Sequence, residues 1–255
     1  MKKNKIVLIL TLVIIESSFC LSQTDIDYYD YWFTSIDEAL KNPEVVINVD
    51  LCSQDLKEIP IELKAFENLQ MLLLDSNFIS EVPEWIRDFK SLWYVSIGYN
   101  NLERIPSSLT KMKQLEHLSL RNNKITKLAN TPFCQKSLSF LDLAYNQLTQ
   151  VPKFSRKGVY LESFFLNNNL IEMEKKSFKN IKGFAELDLR SNEVCIFNKE
   201  LFKILCNLNN SPYVYLESNP FDDEDKEMIN FILNAYFIRK TNRIRPLDHY
   251  LEIYW

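Results

Sequence analysis

The apolar positions of the chain recur in one phase. Asn77, Asn100, Asn123, Asn146, Asn169 and Asn192 stand 23 residues apart. The same frame precedes each: Leu69, Leu72 and Leu74 before Asn77, with Ile79 after it; Leu92, Val95 and Ile97 before Asn100, with Leu102 after it. Leu115, Leu118, Leu120, Asn123 and Ile125 repeat it, as do Leu138, Leu141, Leu143, Asn146 and Leu148. Alternation at the fourth and sixth positions of each unit predicts a short strand with one buried face. The asparagine at the ninth position is expected to turn inward, where its amide can satisfy loop backbone groups. Ile59-Pro60, Val82-Pro83, Ile105-Pro106 and Val151-Pro152 share a later phase, and Leu63, Ile86 and Leu109 follow the first three prolines. Proline suits a segment with no ladder to join.

Eight units can be counted. The first starts at Val46 and has Gln54 in place of asparagine; the sixth starts at Leu161 and the seventh at Phe184. The eighth is degenerate and ends in Asn219-Pro220-Phe221, after an interval of 27 residues instead of 23. The fourth carries Ala129 where proline stands elsewhere. In the sixth, Glu174 occupies an apolar position, and Leu170 and Met173 suggest a one-residue slip.

This pattern resembles the leucine-rich-repeat family, whose strand segment reads L-x-x-L-x-L-x-x-N-x-L, over roughly residues 46–221. The 23-residue period and the I-P-x-x-L segment are similar to the Ras-group subclass. The resemblance implies an α/β fold: a curved, horseshoe-shaped solenoid with a parallel concave sheet, an irregular or 3-10 convex side, and helical caps at both ends. Each unit would bury its apolar face only by stacking on the next. Eight strands about 4.8 Å apart would give a sheet roughly 34 Å long, enough for a protein-sized partner.

The flanking segments fit that plan. Residues 23–45 are expected to form an N-terminal cap. Ser35-Ile36-Asp37-Glu38 reads as a capping box opening a short helix that stops at Asn42-Pro43. Tyr28, Tyr29, Tyr31, Trp32 and Phe33 are expected to pack on the end of the core. Residues 222–255 read as a C-terminal capping helix and tail. Asp222, Asp223, Glu224 and Asp225 supply an acidic first turn, and Met228, Phe231, Ile232 and Ala235 fall at helical spacing.

The first 22 residues read as a secretory signal peptide. Lys2, Lys3 and Lys5 precede an apolar run from Ile6 to Ile15, and the small Ser22 precedes Gln23. Cleavage after Ser22 is expected; lipidation at Cys20 and an uncleaved anchor are the alternatives. The run is about half of the roughly 20 residues a bilayer span needs, so no stable span is expected in the mature chain. A secreted or periplasmic location follows. The lysine-rich start and the Ser-Gln junction are similar to repeat proteins of the Bacteroidetes type. Four cysteines remain beyond Cys20. Cys195 and Cys206, the pair closest in sequence, could form a disulfide, or all four could be small packing residues.

Composition narrows the chemistry. With a net charge of -4 the chain lacks the basic surface that nucleic acid would require. Three glycines, Gly98, Gly158 and Gly183, cannot build a phosphate-cradling loop. No cofactor is expected. His117 and His249 are the only histidines, and His117, Ser119 and Asp142 would lie on an open, wet sheet without an oxyanion hole. The chain is therefore read as a non-catalytic binding module for another protein, with recognition of glycan or envelope material as the alternative.

The candidate site follows from the repeat. Positions 3, 5, 7 and 8 of each unit face away from the core. The third to sixth units place Tyr94, Tyr99, His117, Arg121, Phe140, Tyr145 and Phe165 there. Aromatics and arginine dominate binding hot spots. Tyr94 and Phe140 are expected to stand free of packing duty; in the competing reading, the rings stack across strands and stabilise the sheet. Asp50, Asp75, Asp142, Glu186 and Asp188 flank the patch, where they would either complement a basic partner or maintain solubility.

Overall fold

A computed structural model of the chain describes residues 31–174, 176–195 and 213–221, together with Asp223, Lys226, Glu227, Ile253 and Tyr254. The chain divides into two compact units, Met1–Tyr31 and Trp32–Trp255, and the second holds the repeats. The signal-peptide reading, the apolar stripe of the C-terminal cap, Tyr28, Tyr29 and Cys206 lie outside the described residues.

Among the described residues, the repeats and their flanks form one parallel sheet of ten strands in sequential order. The strands from the eight units are β2 (Asn48–Asp50), β3 (Met71–Leu73), β4 (Tyr94–Ser96), β5 (His117–Ser119), β6 (Phe140–Asp142), β7 (Val159–Phe165), β8 (Ile181–Asp188) and β9 (Tyr213–Tyr215). Register follows the sequence period: Tyr94 pairs with His117, and His117 with Phe140. Glu186 pairs with Tyr213, so the longer seventh unit is absorbed outside the ladder. The core is the alternating face. Val49, Leu72, Val95, Leu118, Leu141, Phe164, Leu187 and Val214 fill one row, and Leu51, Leu74, Ile97, Leu120, Leu143, Leu166, Leu189 and Leu216 the next. None of them is more than 1% exposed. Each such side chain contributes about 1.5–3 kcal/mol by burial. The fold is a leucine-rich-repeat solenoid.

The asparagine column joins successive units. Asn123 is buried; its Nδ2 donates to the carbonyls of Ile97 (2.8 Å) and Leu120 (3.1 Å), and its Oδ1 accepts from the Leu102 N–H (2.9 Å). Asn146 and Asn169 repeat the set one and two units on. In the first unit Gln54 takes the asparagine position, and its Nε2 donates to Thr34 O, tying the N-terminal segment to the coil. The expected slip in the sixth unit does not occur in its first half. Asn169 keeps the ladder and Ile171 is fully buried, while Leu170 and Glu174 face solvent.

Both ends of the sheet carry an added strand. β1 (Trp32–Phe33) pairs in parallel with β2, and β10 (Ile253–Tyr254) with β9. Trp32 and Phe33 thus extend the sheet edge as well as covering the core. The helix α1 (Ile36–Ala39) follows, its Glu38 N–H donating to Ser35 Oγ at 3.4 Å as the capping box requires. Cys195 is a free, exposed thiol, so it is not one of the small packing residues of the core.

Candidate binding face

The backbone of each unit turns left-handed at its eighth position: Ser53, Ser76, Tyr99, Asn122, Tyr145, Asn168, Ser191 and Ser218 all have φ between 52° and 59°. Six of the eight are serine or asparagine, small polar residues that suit a turn, asparagine being the one that tolerates this region best. Tyr99 and Tyr145 are the exceptions. Both rings are exposed, at 54% and 42%. The Arg121 guanidinium lies 4.4 Å from the centre of the Tyr145 ring, and the Tyr99 N–H donates to Arg121 O at 2.8 Å. Two exposed tyrosines thus stand on either side of the half-buried Arg121, whose side chain pairs with the Tyr145 ring and whose carbonyl holds the Tyr99 backbone.

The remaining candidates form a row of stacked rings. Tyr94 and His117 lie 3.9 Å apart and 12° from parallel; His117 and Phe140 lie 3.8 Å apart at 7°. Phe165 meets Phe140 edge-on at 5.5 Å, and Trp93 meets Tyr94 edge-on at 5.7 Å. The strand spacing dictates the stack, because residues 23 apart become lateral neighbours. Tyr94 was expected to stand free, but it is buried at 8% exposure. Its burial pushes the phenol up to about 12, with Asp75 adding to the shift. Burial also pushes the His117 imidazole down to about 3, so the ring is neutral at physiological pH. Stacking therefore describes Tyr94, His117 and Phe140 better than free anchoring does, and Phe165 closes the row.

The acidic residues of this face are likewise engaged. Asp50, Asp142 and Asp188 each accept the backbone N–H two residues on, from Cys52, Ala144 and Arg190. Asp142 also pairs with Arg121 at 3.7 Å. Burial raises its carboxyl above the ordinary value, against the Ala144 and Arg121 contacts that lower it. Asp75 accepts from Ser96 Oγ at 2.7 Å and from the Gly98 N–H. A Cβ at Gly98 would lie 2.7 Å from Asp75 Oδ1 and 3.2 Å from Arg121 O, so this glycine is required by close approach. These carboxylates fix loops and are not free surface charges.

Sequence reasoning missed a second arginine–tyrosine pair. Arg190 sits 5.0 Å from the Tyr215 ring and is held by Asp188 (2.6 Å) and Glu217 (3.5 Å), with Tyr213 exposed nearby on β9. The insertion in the seventh unit hides the phase of the eighth. Counting back from Asn219 places Tyr213 at the third position. Among the described residues, no group of His, Cys, Asp and Glu is placed to hold a metal ion. No described helix is long and apolar enough to cross a membrane.

Comparison with known proteins agrees with this architecture. Residues 94–148 match the family model described as leucine rich repeat. No curated protein matches the chain. An internalin (inlF) of Listeria monocytogenes is similar at a TM-score of 0.55 and 21% identity, over 70% of this chain and 50% of that one. An internalin C2 of the same organism is similar at a TM-score of 0.52 and 15% identity, over 80% of this chain and 79% of that one. The chain thus spans half the length of the first. At these identities the likeness is one of fold.

Proposed function

We propose that the chain is an exported, non-catalytic module that captures another protein through the sheet face, with Tyr99, Arg121 and Tyr145 as its anchors. Leucine-rich-repeat folds are typical of protein–protein interaction modules, and the match over residues 94–148 covers all three anchors. One observation carries the reading. Two tyrosines occupy left-handed positions where asparagine would be less strained, and neither ring is buried in return. A side chain in this region costs about 1–2 kcal/mol. The anchors have the composition of a hot spot: two aromatics and an arginine flanked by Gly98 and the buried Ala144. Catalysis is not proposed: His117, the histidine beside Ser119 and Asp142, has both ring faces covered by Tyr94 and Phe140.

The basic, apolar and small-residue order of residues 1–22 supports export. The period and the prolines support the Ras-group repeat shape, and the Ser-Gln junction supports an origin among exported bacterial repeat proteins of the Bacteroidetes type. The immobilised mature chain should retain a protein from surface extracts of its source cells. The Tyr99→Asn/Tyr145→Asn variant should not retain it. Retained material that survives protease digestion of the extract would overturn a protein partner in favour of glycan.

A further inference from the structure

The side of the coil away from the sheet is uneven. In the first three units the segment after the proline winds into a short helical turn, at Ile61–Ala65, Glu84–Asp88 and Ser107–Thr110. Each turn drives one aliphatic residue, Leu63, Ile86 or Leu109, fully into the core. The fourth unit has Ala129 for proline and forms no such turn; the fifth runs on into β7 without one. Phe133 and Phe154 fill the core there instead. They form a parallel bridge with ring centres 5.4 Å apart and are almost fully buried.

The missing turns leave a cavity of about 510 Å³, lined on its apolar side by Ala129, Pro132, Phe133, Val151, Pro152 and Phe154. That volume lies in the range of small-ligand sites. Its rim carries Lys153, Lys176 and Lys179 against one carboxylate, Glu174. Glu174 accepts a hydrogen bond from Gln150 Nε2 at 2.8 Å, while none of the three lysines makes an ion pair among the described residues. Asn180 fixes the rim beside Lys179 by donating from Nδ2 to Phe154 O at 2.6 Å. The cavity is therefore an apolar recess with a cationic mouth, in a chain whose net charge is -4.

We propose that this recess binds a small organic anion with an apolar ring body, at a site separate from the sheet face. The ring would displace water from the wall at Ala129 and Pro132, above the buried Phe133 and Phe154, and the lysines would hold the carboxylate or sulfonate. The test is a fluorescence titration of the full chain with anilinonaphthalene sulfonate, an aromatic anion, beside the uncharged phenylnaphthylamine. Saturable single-site binding of the anion is expected, at least about tenfold tighter than the neutral compound. Ala129→Trp, which fills the recess, and Lys153→Glu/Lys179→Glu, which inverts its mouth, should each weaken it by at least about tenfold. Thermal melts check that both variants fold; the lysine pair is exposed and keeps the test decisive if the tryptophan does not fit. Tyr99→Asn/Tyr145→Asn should leave the anion bound. Unsaturable binding, equal affinity for the neutral compound, insensitivity to the lysine pair, or loss only in the tyrosine variant would each overturn the site.

Discussion

His117 makes the stacked row measurable. Its imidazole is clamped between Tyr94 and Phe140, and burial lowers it from an ordinary 6.5 to about 3. The unfolded chain takes up a proton there as pH falls below about 6.5, while the folded chain refuses it until about pH 3. Stability from this residue is therefore complete above pH 6.5 and is lost progressively as pH falls between those values. Linkage at these two values gives a loss of about 2 kcal/mol between pH 8 and pH 5. Other groups act in the opposite direction: burial raises the carboxyls of Asp75, Asp142 and Glu186, so each favours the folded state as pH falls. Comparison with His117→Phe removes them, because the phenyl ring keeps the stack and loses only the proton site. Urea unfolding of both proteins at pH 8, 7, 6 and 5, followed by tryptophan fluorescence, should show the parent falling behind the variant by about 2 kcal/mol at pH 5. Parallel curves would refute a buried, neutral imidazole. A parent that gains on the variant in acid would mean that the flanking ring faces hold the imidazolium more strongly than burial disfavours it.

Other perturbations probe the remaining parts. Asn123→Ala orphans the Leu102 N–H and the Ile97 carbonyl, while Leu120 O keeps its bond from Asn146 Nδ2, so chemical denaturation should show a loss of about 2 kcal/mol or more. Gly98→Ala should cost about 1–3 kcal/mol, and a double-mutant cycle with Asp75→Ala should return at least about 1 kcal/mol of that, because Asp75 Oδ1 is the nearest obstacle. Mass spectrometry of the exported protein should find Gln23 at the N-terminus; an intact Met1 or a lipid on Cys20 would contradict the export reading.

The parts of the fold legible in the sequence are those governed by period alone. Leu72, Leu74, Asn77 and their counterparts occupy fixed positions, and a strand of period two admits one inward set. The 27-residue step to Asn219 also located the insertion. The edge strands were less visible, because Trp32–Phe33 and Ile253–Tyr254 are two residues long and lie outside the 23-residue frame. On the candidate face the sequence left two readings of the rings open, free anchors or a cross-strand stack, and the geometry of Tyr94, His117 and Phe140 is that of a stack. A facing position appears free in a single strand, but at parallel-strand spacing a ring at Tyr94 meets His117 at van der Waals distance and loses its exposure. Asp142 and Asp188 were similarly taken as surface charge, although an aspartate two residues before a turn N–H is placed to accept from it. The column of Ser53, Ser76, Asn122, Asn168, Ser191 and Ser218 carried an available signal: a position that repeatedly selects small polar residues is a left-handed turn, against which Tyr99 and Tyr145 stand out.

That contrast supplies the most direct test of the binding reading. Tyr99→Asn/Tyr145→Asn replaces two exposed rings with a residue better suited to the left-handed backbone, and loses one cation–π contact worth about 0.5–1 kcal/mol. Thermal unfolding should be unchanged or occur at higher temperature. Affinity for the captured partner, measured by calorimetry, should fall by at least about 30-fold, the loss of one hot-spot residue or more. Tighter folding with weaker binding would identify the two tyrosines as residues kept for a partner. Unchanged affinity, or an affinity loss matched by an equal loss of stability, would contradict the account.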